Sequence, residues 1–166
     1  MYPELFATQN QGKLDEANSI LEKPLQQVSI DLLEPQAVRV EDVVKIKAID
    51  AYKQVGKLVV VEDTSLEIKS WNGLPGALIK WFLDTVGNKG ILKMLGDSSD
   101  RSALAKTAVA YFDGAHTHVF VGEIEGSLSY EELGENGFGW DTIFIPLGSE
   151  KTFAQMTEQE KNSISM

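Results

Sequence analysis

The chain contains no cysteine. That excludes a disulfide framework and any thiolate-ligated metal site, and it suits a reducing compartment. Histidine is nearly as scarce. His116 and His118 are the only two, so a metal centre built on imidazoles would lack its third nitrogen. Their i, i+2 spacing places both on one face of a strand, and they read as an exposed strand face. Arginine is limited to Arg39 and Arg101, and the 15 basic residues are outnumbered by 25 acids, for a formal net charge of -10. Such a balance argues against a broad basic surface for duplex nucleic acid. It leaves room for a small anionic ligand held by a local cluster of lysines or backbone amides. It also makes a divalent cation an attractive bridge between carboxylates and phosphate. No apolar run approaches the roughly 20 residues that span a bilayer. Met1-Tyr2-Pro3-Glu4 lacks the basic start and apolar stretch of a signal peptide. The expectation is a cytoplasmic protein with no membrane partner. Repeats and low-complexity tracts are missing as well.

What is present fits one domain over residues 1–166, able to bury roughly two thirds of its unfolded surface. Glu4 to Thr8 reads as a strand. A helix follows from about Gln11 to Glu22, with Asn10 as N-cap and Leu14, Ala17 and Leu21 on one face. A second helix spans about Glu41 to Val55, with Val44, Ala48, Ala51 and Val55 at helical spacing and Gly56 as its left-handed cap. Leu58 to Val61 is a continuous apolar run, the pattern of a strand buried on both faces. Leu66-Glu67-Ile68 alternates like a separate, half-buried strand. Gly73 to Gly76 is a turn, and Ala77 to Leu95 is helical with a break near Gly87. Ala103–Phe112 and His116–Ile124 read as strands joined at Asp113-Gly114, a hairpin signal. Phe144-Ile145-Pro146 reads as a short edge strand, and Thr157 with Glu160 forms a capping box for a last helix. This order predicts a mixed α/β sheet and not a regular doubly wound fold.

Four segments carry candidate chemistry. Thr8-Gln9-Asn10-Gln11-Gly12-Lys13 joins a strand to a helix N-terminus, where free amides and the macrodipole favour an anion; the plainer reading is an N-cap beside a solvated lysine. Glu62-Asp63-Thr64 follows the valine-rich strand, and ligands of open α/β sheets gather beyond strand carboxyl ends. Two carboxylates there suit Mg²⁺ and a water, or else an acidic turn. Gly73-Leu74-Pro75-Gly76 makes a tight loop before a helix whose Lys80 is placed to reach a phosphate, with Trp81 and Phe82 read as core. Gly137-Phe138-Gly139-Trp140-Asp141 sets two aromatics among glycines. They form either a wall on which a base stacks, with Asp141 accepting from base or sugar, or a plug that closes the core.

Taken together, in this order and spacing, these segments and Lys151-Thr152-Phe153-Ala154-Gln155-Met156 through Glu160-Lys161-Asn162 resemble the non-canonical purine nucleoside triphosphate pyrophosphatases, also called inosine triphosphatases. The resemblance implies an elongated two-lobed α/β fold, a long mixed sheet flanked by helices with a cleft between the lobes, and a homodimer. It implies hydrolysis of nucleotides such as inosine or xanthosine triphosphate to the monophosphate and pyrophosphate. By matching motif, Thr8, Asn10 and Lys13 would bind the triphosphate, and Glu34 and Asp63 would hold Mg²⁺, for which Mn²⁺ substitutes. Asp63, or Glu62 beside it, would take the proton of the attacking water. Lys47 resembles the family's helical phosphate lysine. Thr64, Lys80, Phe138, Gly139, Trp140, Asp141 and Lys161 would complete the substrate site. After Lys161-Asn162 the family carries a Ser-His-Arg motif and a final helix. This chain reads Ser163-Ile164-Ser165-Met166, so that helix is expected to be missing. Two other readings remain: a Maf-like nucleotide pyrophosphatase with another base preference, and a nucleotide-binding or dimerisation module with impaired catalysis.

Overall fold

The computed structural model describes residues 2–164. It is a mixed α/β fold with a seven-stranded sheet in the order β2-β1-β3-β5-β6-β7, with β4 pairing β3. The strands are β1 (Leu5–Ala7), β2 (Gln26–Val28), β3 (Val59–Ile68), β4 (Pro75–Gly76), β5 (Ser102–Phe112), β6 (Thr117–Leu128) and β7 (Phe144–Pro146), and the helices are α1 (Gln11–Ile20), α2 (Val40–Val55), α3 (Ile79–Thr85), α4 (Gly87–Leu95) and α5 (Glu158–Asn162). β1 runs parallel to β2 and β3, whereas β4 on β3 and β7 on β6 are antiparallel. The chain forms two compact units, Met1–Thr64 with Thr107–Gly122, and Ser65–Lys106 with Glu123–Met166. No helix among the described residues is long and apolar enough to cross a membrane. The expected lack of a further C-terminal helix concerns positions outside the described residues.

In the first unit, Asn10 caps α1 by accepting from the Lys13 amide at 3.3 Å. α1 stops at Ile20 and not at Glu22, for a local reason. Pro24 disfavours helical backbone at the residue before it. The Asn18 side chain then pins Leu25 in both directions, donating to its carbonyl at 3.1 Å and accepting from its amide at 2.8 Å. The chain is thereby turned into β2, a strand with no apolar alternation to announce it. α2 ends on Gly56 at φ 71°, the left-handed conformation that costs glycine nothing. Its apolar face, Val40, Val43, Val44, Ala48 and Ala51, is buried.

β3 corrects the sequence expectation. One strand covers the valine run, the acidic triplet and Leu66-Glu67-Ile68. Val59, Val61, Leu66 and Ile68 are essentially inaccessible, and each such side chain contributes about 1.5–3 kcal/mol by burial. Glu62-Asp63-Thr64 therefore lies inside a strand and not in a turn beyond it.

The core of the second unit gathers Leu66, Ile68, Ile79, Ile91, Leu128, Ile143 and Phe144. The break between α3 and α4 falls at Gly87, at φ 66°. Trp81, expected in the core, is 54% exposed, while Phe82 packs against that core and lies 6.2 Å from Trp71. The hairpin between β5 and β6 turns at Asp113-Gly114, where Asp113 Oδ1 accepts from the amides of Ala115 and His116 at 2.8 and 2.7 Å. Thr157 and Glu160 cap α5 reciprocally at 2.7 and 3.2 Å, as the sequence predicts.

At Gly126 the strand pair β6–β7 leaves no room for a side chain: a Cβ would meet the Ile145 carbonyl at 2.3 Å and the Phe144 ring at 2.6 Å. Gly126→Ala is expected to destabilise the protein by about 1–3 kcal/mol, as overpacking does. Urea denaturation measures this, and an unchanged midpoint would show that the pair yields freely.

Candidate functional site

The first unit assembles five of the expected residues. Lys13 stands on the first turn of α1, Lys47 on the buried face of α2, Glu62 and Asp63 in the middle of β3, and Glu34 in the segment before α2. Lys13 Nζ lies 2.8 Å from Glu62 Oε2, with both side chains mostly covered. The contact is a close ion pair. Lys47 Nζ donates to Glu34 Oε1 at 3.3 Å, to Asp63 Oδ2 at 3.2 Å and to the Glu62 carbonyl at 3.2 Å. Asp63 Oδ1 accepts from the Thr64 amide at 2.9 Å. The loop into α1 is set by Thr8, whose hydroxyl accepts from the Asn10 amide at 3.1 Å.

The electrostatics follow from burial. Burial pushes the Glu62 carboxyl above the usual carboxylate range, against the pull of Lys13. Burial works to lower the Lys13 ammonium, but Glu62, Asp63 and Glu34 outweigh it and raise that group. The two acids are not equivalent. The Glu62 side chain is 10% exposed and locked to Lys13, whereas that of Asp63 is 24% exposed. The lysines converge on oxygens presented by a loop and a strand, a donor set of the kind hard divalent cations take.

In the second unit the Phe138–Asp141 segment is a tied loop. Asp141 is buried, and its Oδ2 accepts from the Phe138 amide at 2.9 Å and from Lys161 Nζ at 2.9 Å. It packs so close to Gly137, at φ 76°, that a Cβ there would meet Oδ2 at 2.1 Å. Asp141 thus organises the loop. Of the two readings of the aromatic pair, Trp140 follows the core plug. It is 7% exposed and packs edge-on to Phe144 at 5.4 Å and near Phe153 at 6.3 Å. The core takes this ring because the loop bends inward at Gly139, at φ 60°, whose carbonyl accepts from Asn88 Nδ2 at 2.8 Å. Phe138 is 38% exposed, with Lys161 Nζ over its ring at 4.7 Å. Lys80 lies on the exposed side of α3.

Sequence reasoning missed two supporting residues. Asn88 follows the helix-breaking Gly87 and bonds both Gly139 and Thr142, and Asn136 Nδ2 donates to the Met156 carbonyl at 2.9 Å. An asparagine beside a glycine carries no local sign of a partner about fifty positions away. The histidines are structural. His118 Nε2 lies 2.7 Å from Asp113 Oδ2 and its ring stacks on Tyr111 at 4.7 Å. His118, and then the amides of His116 and Ala115, hold the Asp113 carboxyl well below the usual range.

Two lysines facing paired carboxylates on a central strand mark a mixed α/β protein with a charged cluster in its first unit. The sequence profile of the Ham1 family matches residues 5–166, and the chain belongs to that family. It is 44% identical over 166 residues to an inosine triphosphate pyrophosphatase of Yarrowia lipolytica, covering 97% of this chain and 87% of that one. It is 38% identical to a dITP/XTP pyrophosphatase of Hyperthermus butylicus, covering 97% and 86%. The solved structure of a HAM1 protein from Coxiella burnetii superposes with a TM-score of 0.86 at 29% identity, covering 99% of this chain and 92% of that one.

Lys13→Met is expected to cost about 3–5 kcal/mol at neutral pH, because Glu62 is left buried without its partner. The pH dependence carries a definite sign. A carboxyl whose folded pKa is raised binds its proton more tightly folded than unfolded, so stability falls as pH rises through the shifted value. The deficit of the variant should shrink below the ordinary glutamate range, where Glu62 is neutral in both states. Denaturation at acid and neutral pH measures it, and an equal deficit at both would refute the buried-acid account.

Trp140→Ala should lower stability by about 3–5 kcal/mol. Phe138→Ala should leave the melting temperature nearly unchanged and weaken nucleotide binding by the ~1–3 kcal/mol of a stacked base. Calorimetric titration beside thermal melts separates the two, and the reverse pattern would restore Trp140 as the stacking surface.

Proposed function

We propose that this chain hydrolyses non-canonical purine nucleoside triphosphates, those of inosine and xanthosine and their deoxy forms, to the monophosphate and pyrophosphate. The observation that carries the reading is the convergence of Lys13, Lys47, Glu34, Glu62 and Asp63 in one unit, on a chain alike over nearly its whole length to proteins named for that reaction. The small-molecule nucleotide is the partner this reading requires. A homodimer and a cytoplasmic setting accompany it by resemblance.

Within it, phosphate chemistry falls to the first unit. First-turn amides of α1 and the Lys13 ammonium receive phosphate oxygens, with the loop held in shape by Thr8 and Asn10. Glu34 and Asp63 present carboxylate oxygens toward a common point, the hard-donor set that Mg²⁺ or Mn²⁺ takes. Bound there, such a cation would supply charge neutralisation and Lewis acidity at the phosphate. Asp63, the more exposed acid, takes the proton of the attacking water. Glu62 anchors Lys13 and sets its charge. Lys47 stabilises charge that develops on the phosphates. Base recognition falls to Phe138, with Asp141 and Lys161 fixing its loop.

The test is pyrophosphate release from inosine triphosphate with Mg²⁺, with a chelator added in parallel. Asp63→Asn is expected to lower kcat by at least about a hundredfold, the scale of lost general-base catalysis, at an unchanged melting temperature. Chelation is expected to abolish turnover. Turnover by Asp63→Asn close to that of the unmodified protein would sink the assignment.

A further inference from the structure

We propose that Lys47 is a placeholder for the divalent cation: its ammonium occupies the point on which Glu34 and Asp63 converge, and a metal ion entering there displaces it toward incoming phosphate. The inference rests on the reading of Glu34 and Asp63 as cation ligands.

An ammonium has three N–H donors. Lys47 Nζ has three oxygen contacts, Glu34 Oε1 at 3.3 Å, Asp63 Oδ2 at 3.2 Å and the Glu62 carbonyl at 3.2 Å. The residue is 7% exposed on a helix face otherwise lined by valine and alanine. A lysine so covered requires compensating charge, and the two carboxylates supply it from separate segments of the chain. Mg²⁺ bonds carboxylate oxygen at about 2.0–2.1 Å. Placed on Glu34 Oε1 and Asp63 Oδ2, it would lie no more than about 5 Å from the ammonium that now bonds the same atoms, and like charges at that range repel. One cation must yield. Lys47 is the free-moving partner, a charge on a flexible four-carbon stem.

Two consequences follow. Without metal, the lysine keeps Glu34 and Asp63 from repelling one another, so the ligand pair stays assembled. With metal, the lysine is released, and the contact it makes to phosphate becomes conditional on the cation. Lys47 is then a positioning residue for the metal site as well as a phosphate ligand, and the two parts alternate.

The test uses nucleotide-free full-length protein and Mn²⁺, followed by electron paramagnetic resonance or calorimetry. Lys47→Met and Lys47→Gln are both expected to bind Mn²⁺ about tenfold or more tightly than the unmodified protein, the screened value of removing one unit charge at that distance. The gain should vanish in Lys47→Met combined with Glu34→Gln. In thermal melts without metal, Lys47→Met should unfold at lower temperature and recover more on adding Mn²⁺ than the unmodified protein gains. Unchanged or weaker Mn²⁺ affinity in both single variants, or no detectable binding in any form, overturns the proposal. Turnover of inosine triphosphate by the unmodified protein is measured separately. Its absence would defeat the enzymatic reading while leaving a tighter Mn²⁺ site in Lys47→Met intact. Turnover with unchanged Mn²⁺ affinity in both variants would defeat the placeholder alone.

Discussion

Two adjacent carboxylates in the middle of a buried strand are the constraint on which the first unit depends. A charged group removed from water costs several kcal/mol unless it is paired. Glu62 and Asp63 sit on β3 beside Val61, which is fully buried. The two acids share two cations, each lysine acting on both carboxylates. Lys13 of α1 meets Glu62, and Lys47 of α2 meets Asp63. The caps that fix α1 and α2, Asn10 at one start and Gly56 at the other end, thus also place the compensating charges. Helix placement and charge compensation are one problem here.

The second unit solves a different problem with the same means. The loop from Gly134 to Asp141 crosses a core of aromatic rings and must keep one ring out of it. Asp141 accepts from the Phe138 amide and from Lys161, Asn88 holds the Gly139 carbonyl, and Asn136 holds Met156. Trp140 goes inward as a consequence, and Phe138 is left half exposed. Buried polar groups with satisfied partners specify one conformation among several that an apolar loop could adopt. Lys161 Nζ lies over the Phe138 face at 4.7 Å.

Much of this was legible in the sequence where a local signal exists. α2 with its glycine cap, the hairpin at Asp113-Gly114, the short strand at Phe144 and the capping box at Thr157 all announce themselves through spacing and turn chemistry. β2 did not, because Gln26-Gln27-Val28 has no apolar period and owes its place to pairing with β1 and to the Asn18 clamp. β3 was split because acids in sequence look like a turn; only Lys13 and Lys47, distant along the chain, make an extended backbone tolerable there. Motif singles out the candidate residues, but not how far each is covered. Which of Glu62 and Asp63 is covered, and which of Phe138, Trp140 and Trp81 faces solvent, depends on what packs above each side chain.

The cluster on β3 is not an economical way to stabilise a fold. Replacing buried ion pairs with well-packed apolar residues is often neutral or stabilising, and Val59, Val60 and Val61 show that this strand accommodates such residues. Acids kept in that position need another reason. Perturbed ionisable groups gather where chemistry is done, and here the perturbation has a direction. Burial raises the Glu62 carboxyl, while Glu62, Asp63 and Glu34 together hold Lys13 charged. Asp63 and Glu34 both meet the ammonium of Lys47. Ammonium groups and carboxylates thus stand side by side in one cluster, a pattern that a phosphate chain accompanied by a divalent ion would complement.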